Sequence, residues 1–254
     1  MNFKFLKYFL TLSIPFLAYV SFNSTGVLTY APILEAFFLI PVLELFFKPS
    51  NKNITEAEEE MSKNDISYDI ILYMFIPIIY FLIWEFLVSM KEPISTIDKI
   101  GRILSMGLIC GGFGINIAHE LGHRNTKYEQ FFSKVLLLPS LYMHFFIEHN
   151  FGHHTNVGTP KDGASARYKQ SVYGFWFTSV TKQYIDAWIK QKELLNRSKS
   201  AFYSVKNDML WYLVIQSLYL FGVWFVFGGA ALIFCICIGI ISFLFLETIN
   251  YIEH

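Results

Sequence analysis

Six apolar stretches, each close to the length of a membrane crossing, constrain this chain more than any other feature. A spanning helix needs about 20 mainly apolar residues at 1.5 Å rise each. Runs of that kind occupy 6–22, 28–47, 69–89, 100–118, 209–227 and 229–250. One such run could be a buried core helix, but a soluble chain of 254 residues could not cover six. Only 16% of the residues are charged, against about 25% in soluble domains. The first run could pass for a signal peptide, yet no small-residue cleavage site follows it and the second run begins almost at once. The expected fold is all-α: a polytopic membrane helix bundle of about six transmembrane helices with further cytoplasmic or interfacial helices, forming a single domain over 1–254.

Loop charge sets the expected orientation. With a cytoplasmic N-terminus and six crossings, all but three of the 20 basic residues lie at cytoplasmic span ends or in cytoplasmic segments, the exceptions being Lys91, Lys99 and Arg102. The largest cytoplasmic segment, 119–208, contains an apolar stretch at 131–147 that reads as a helix too short to cross. A charged stretch at 183–206 reads as a solvated helix, and the acidic Glu56–Glu60 as a solvated loop face. Net charge is zero, so no nucleic-acid partner is expected. Cys110, Cys235 and Cys237 lie inside apolar runs and read as small hydrophobes.

The chemistry lies in the histidines. Six of the seven fall in three clusters: His119-Glu120-Leu121-Gly122-His123, Glu148-His149-Asn150-Phe151-Gly152-His153-His154, and Glu253-His254. The predicted topology puts all three on the cytoplasmic face. His119 and His123 are four apart, so on a helix both rings share a face. His149 and His153 repeat the spacing, and His154 adds a neighbouring donor. Glycines 107, 111, 112 and 114 would let helices approach closely. Imidazole suits zinc, copper, iron and nickel, but six histidines overfill one zinc, which takes three or four protein ligands. Two iron ions accommodate them better.

Glu120, Glu148 and Glu253 each adjoin a ligand candidate and could accept its second ring N–H, fixing the tautomer; each is equally readable as an ordinary interfacial carboxylate. Glu247, two turns before His254, is an ionisable group in a span and therefore a functional candidate. Glu35 and Glu44 share that status without a role. His144, five residues before His149, points away from the ligand face and reads as structural or as a support to the site.

These motifs, with Thr159-Pro160-Lys161-Asp162-Gly163-Ala164-Ser165-Ala166-Arg167 and Asn250-Tyr251-Ile252-Glu253-His254, resemble the bacterial alkane 1-monooxygenases, within the larger group of membrane fatty-acid desaturases and hydroxylases. The resemblance runs the length of the chain. It implies a di-iron centre ligated by His119, His123, His149, His153, His154 and His254. It also implies O2-dependent hydroxylation of the terminal carbon of an alkane or related alkyl or acyl chain. Electrons would come from rubredoxin, reduced by an NAD(P)H-dependent reductase, at the cytoplasmic side of a bacterial inner membrane. The chain departs from the family pattern in ending before the Tyr-Gly that follows His254 there, and in lacking a later His-x-x-His-His cluster. It therefore reads as a catalytic domain incomplete at the C-terminus and inactive by itself.

Three rival functions are weighed at this level. A desaturase of the same superfamily would carry the same ligands. A membrane-embedded zinc protease would also carry His-Glu-Leu-Gly-His, with Glu120 as general base, but would leave the other histidines without a task. A metal transporter would need ligands near the bilayer midplane.

Overall fold

A computed structural model describes residues 3–47, 65–159 and 161–253; His254, Pro160 and the acidic stretch Glu56–Glu60 lie outside the described residues. The described residues are helical, with no strand. The membrane helices are α1 (Tyr8–Phe22), α2 (Gly26–Glu44), α3 (Ile66–Ser89) and α4 (Thr96–Gly122). Three helices follow: α5 (Lys127–Leu137), α6 (145–156) and α7 (Val172–Arg197). The chain then returns through α8 (Asp208–Phe227) and α9 (Gly229–Glu253). Among the described residues five helices, α2, α3, α4, α8 and α9, are long and apolar enough to cross a membrane. The first apolar run yields the shorter α1, which continues a 3-10 segment, Phe3–Leu12.

By contacts the chain divides into two compact units, 1–109 and 110–254, with the division inside α4. In the first unit, α1 and α3 share an apolar core in which Phe22 meets Phe86 edge to face at 5.6 Å. Ser95 caps α4 by accepting from the Asp98 N–H, and Asp98 in turn accepts from the Gly26 N–H at 2.7 Å. Arg102 donates to the Ser89 and Ser24 carbonyls, so one buried guanidinium ties the end of α3 to the turn after α1. Glu35 is half-buried and Glu44 exposed.

In the second unit the apolar stretch 131–147 is not one helix. α5 ends at Leu137, and turns with Leu141 at φ +52° precede α6. Pro139 is the cause, since it lacks an N–H and its ring clashes with the carbonyl one turn back, although Leu138 itself keeps helical angles. The charged stretch 183–206 also differs from expectation. α7 starts earlier, where Ser171 accepts from the Gly174 N–H, and stops at Arg197. It is not solvated all round, because Phe175, Ser179, Gln183, Ala187, Gln191 and Leu195 form a buried stripe.

α8 and α9 are joined through Gly228, whose φ of +88° suits glycine far better than any other residue. α9 then packs along α4, as the glycine pattern suggests. A Cβ at Gly111 would lie 2.7 Å from the Ser242 carbonyl oxygen and 3.0 Å from its Cα. Both obstructing atoms are backbone, so they cannot swing aside. Gly111→Val should therefore lower stability by about 1–3 kcal/mol through overpacking, read as a lower Tm of the detergent-solubilised protein. An unchanged Tm would mean that α4 and α9 do not make this contact.

Candidate metal centre

Three of the predicted ligands converge to a point. The Nε2 atoms of His123, His149 and His154 form a triangle with sides of 3.1, 3.0 and 3.2 Å. His119 joins them: His119, His123 and His149 offer ring nitrogens within 4.8 Å of one another, and its ring centroid is 4.2 Å from that of His149.

Local backbone geometry explains which rings meet. On α4, His119 sits in the last α-helical turn and His123 caps its end with angles still in the helical region, so the spacing of four puts the rings side by side, 4.7 Å apart. On α6, residues His149–His153 form a π-turn instead. A π-turn closes at i to i+5 and recurs at functional sites. The wider turn brings His154, five residues on, over His149, while His153 swings aside. The expected His149–His153 pair is therefore replaced by His149–His154. Widening the turn disturbs regular carbonyl pairing, and asparagines supply added donors: Asn150 donates to the Phe146 carbonyl and Asn156 to that of Gly152.

His153 has its own partner. Its Nδ1 lies 3.1 Å from both oxygens of Asp162, which also accepts from the Ala164 N–H and the Ser165 hydroxyl. Burial alone would raise the Asp162 carboxyl, but these hydrogen bonds, that from His153 foremost, outweigh it and hold it below its ordinary value. An ionised carboxylate only accepts, so Nδ1 is the donor of this pair and carries a proton. Asp162 thus does what three glutamates were expected to do.

The glutamates are placed otherwise. Glu120 is exposed and pairs with Arg124 at 3.0 Å, because consecutive helix positions face about 100° apart. Glu148 is buried and folds over Gly152 into a separate polar cavity shared with Asp162, Lys182 and Asp186. Burial first, then Asp162 and Asp186, push its carboxyl up to about 8. Glu247 is fully buried, and its partners are Tyr142, Ser179, Gln183 and Asn250. Glu253 is exposed on the wall beside the histidines. His144 packs between Tyr142 and Tyr184, its Nε2 buried without a hydrogen-bond partner; burial lowers it to about 3, so it is neutral. His254 lies outside the described residues.

The triangle has a chemical consequence. Each Nε2 carries either a proton or a lone pair. Among three, two must be alike, so at least one edge sets proton against proton or lone pair against lone pair at about 3 Å. A cation that accepts all three lone pairs removes the conflict. Two of the donors stay unprotonated for such an ion: burial, then the neighbouring imidazoles, lower His149 to about 2 and shift His154 in the same direction. The residues therefore fit a metal ion.

Beside the cluster lies a cavity of about 370 Å3, within the range of small-molecule sites. Ile115, Phe145, Leu246 and Ile249 supply apolar walls, and His119, His149 and His153 close one part of it.

Residues 100–254 match the family model described as fatty acid desaturase. Alkane 1-monooxygenase 2 of Pseudomonas aeruginosa is 32% identical over 222 residues, covering 86% of this chain and 59% of that protein. Alkane 1-monooxygenase 2 of Alcanivorax borkumensis is 31% identical over 249 residues, covering 95% of this chain and 64% of its own length. Alkane 1-monooxygenase 1 of Pseudomonas aeruginosa is 29% identical over 251 residues, covering 96% and 65% respectively. The chain thus spans less than two thirds of the length of these relatives.

Asp162→Ala removes the acceptor that fixes the His153 tautomer, and losses of this kind cost about 10–100-fold in metal affinity. The variant should lose its metal at correspondingly lower chelator concentration; equal retention would show that Asp162 does not support the site.

The metal-free protein should also show a defined pH profile. Glu148 titrates higher folded than unfolded, so its contribution is complete below about 4.5 and is lost as pH rises through 8. His144 and His149 titrate lower folded than unfolded, so theirs is present above about 6.5 and is lost as pH falls. Tm should therefore peak near pH 6.5 and decline toward pH 8. Glu148→Gln should abolish the alkaline decline, and a decline that persists in this variant would rule Glu148 out as its source.

Proposed function

Because the chain belongs to the fatty acid desaturase family, we propose that it hydroxylates the terminal carbon of alkanes or related alkyl chains at a histidine-held di-iron centre, using O2. The observation that carries this reading is that its relatives named as alkane 1-monooxygenases match across 85% or more of the chain, the histidine-bearing helices included. On this reading the chain is one integral-membrane catalytic domain of a bacterial inner membrane. Its site faces the cytoplasm, where the basic residues concentrate and where rubredoxin, reduced by an NAD(P)H-dependent reductase, would supply electrons.

The number of imidazoles favours iron over zinc: His119 and His153 stand beside the triangle of His123, His149 and His154, more donors than the three or four that one zinc takes.

The reaction consumes an alkyl C–H bond, O2, two electrons and two protons, and yields an alcohol and water. Bound iron would supply the oxygen activation. The chain's own residues do the rest. His123, His149 and His154 would hold metal, with His119 and His153 adding donors, and Asp162 would keep His153 in the correct tautomer. The apolar walls would exclude water and hold the alkyl chain by burial. Terminal selectivity would follow from position, since the reacting carbon is the one held nearest the histidines.

Membranes containing the full-length protein, given a medium-chain alkane, O2, NADH, rubredoxin and its reductase, should produce the primary alcohol, and His149→Ala should abolish it. An alkene as main product would reassign the protein as a desaturase. Absence of any oxidised product, with metal bound, would reject the reading.

A further inference from the structure

Glu247 is a fully enclosed carboxyl group of the second unit outside the histidine cluster, and the proposed chemistry leaves it unused. It sits inside α9, fully buried. Its two oxygens accept from four side chains: the Tyr142 hydroxyl at 3.1 Å, the Ser179 hydroxyl at 2.5 Å, the Gln183 amide at 2.9 Å to each oxygen, and the Asn250 amide at 3.3 Å. All four donors are uncharged. Burying a carboxylate this way is costly unless every lone pair is occupied. The same fold could have packed α9 on α7 with apolar side chains at less expense. What the carboxylate adds is direction, because hydrogen bonds fix a contact at one register where apolar packing tolerates sliding.

One of its partners lines the substrate cavity and another backs its wall. Asn250, on the next turn of α9, lines the cavity together with Leu246 and Ile249. Tyr142 stacks on Phe145, which lines the cavity from the other side and lies flat against His149, ring centroids 4.8 Å apart. Ser179 and Gln183 belong to the buried stripe of α7. One carboxylate therefore links the α9 wall of the cavity to the element that carries His149.

Resting on the alkyl-hydroxylase reading, we propose that Glu247 is a positioning residue: it fixes the α9 wall relative to the histidine cluster and so decides which carbon of a bound alkyl chain faces that cluster. It touches neither substrate nor metal. The neighbouring Thr248 provides a control. Its hydroxyl accepts from Trp176 Nε1 at 3.1 Å, also bridging α7 and α9, but neither Thr248 nor Trp176 lines the cavity.

The experiment compares Glu247→Ala, Glu247→Gln and Tyr142→Phe with Thr248→Val in the full-length protein. Three quantities are read: Tm, metal content, and the ratio of primary to secondary alcohol from a medium-chain alkane. A misplacement of about 1 Å can cost 10²-fold in a positioned reaction. Glu247→Ala should therefore lower the ratio by about tenfold or more, with metal content retained. Glu247→Gln should recover part of it, since its amide oxygen can still accept from Gln183 and Tyr142. Tyr142→Phe should fall between wild type and Glu247→Ala. Thr248→Val should lower Tm without moving the ratio. Should Glu247→Ala fail to accumulate, Glu247→Gln and Tyr142→Phe decide the matter. A ratio unchanged in both, with only Tm lowered as in Thr248→Val, overturns the proposal.

A second readout needs no turnover. A 1-alkanol that stabilises the wild-type protein against heat should need about tenfold higher concentration to stabilise Glu247→Ala, and the same concentration for Thr248→Val. Equal concentrations for all three would also overturn it. Wild-type protein that makes no alcohol and shows no alkanol response would reject the alkyl-hydroxylase reading itself, and the positioning role with it.

Discussion

Three imidazole nitrogens within 3.2 Å of one another cannot satisfy one another, because each is either a donor or an acceptor and a triangle admits no alternating assignment. The second unit is organised to impose this conflict. The end of α4 and the π-turn of α6 bring the donors to one point. Such a cluster resists closure without a cation, and metal binding repays the cost of assembling it. The polar surroundings follow from the same requirement. Asp162 fixes the proton on His153, and burial keeps His149 neutral.

The cavity beside the cluster combines apolar walls with three histidines; on the proposed function, an alkyl chain would gain from burial along its length while its end meets the donors. Elements outside that wall contribute alignment instead. α7 contacts α9 through Glu247 and through Thr248. In the first unit Asp98 and Arg102 tie loop ends to the start of α4.

Much of this architecture was legible in the sequence, for identifiable reasons. Long apolar runs announce spans by composition alone, and five described helices meet that expectation; the first run gives a shorter apolar helix. His119 and His123 sit on an α-turn, so the spacing rule applied without correction. Where the rule assumed an α-turn over His149–His153, the π-turn changed the partner from His153 to His154, and nothing in a simple periodicity reports an inserted turn residue. α7 was misread because its buried stripe holds Ser179, Gln183 and Gln191, residues that periodicity counts as solvent-facing although specific partners pay for their burial. Pro139 was the visible signal for the break after α5. Asp162 was visible in its motif, but its role depends on a loop that returns to His153, which sequence spacing does not encode. Glu120 was assigned by adjacency, and adjacency on a helix points a side chain elsewhere.

The account stands most directly on what the histidine triangle holds. Elemental analysis combined with iron X-ray absorption on the purified full-length protein would test it. The expected result is iron, close to two per chain, with nitrogen and oxygen neighbours and no sulfur. His123→Ala, His149→Ala and His154→Ala should each lower iron content. One tetrahedral zinc per chain with iron absent, or iron content indifferent to all three substitutions, would contradict it.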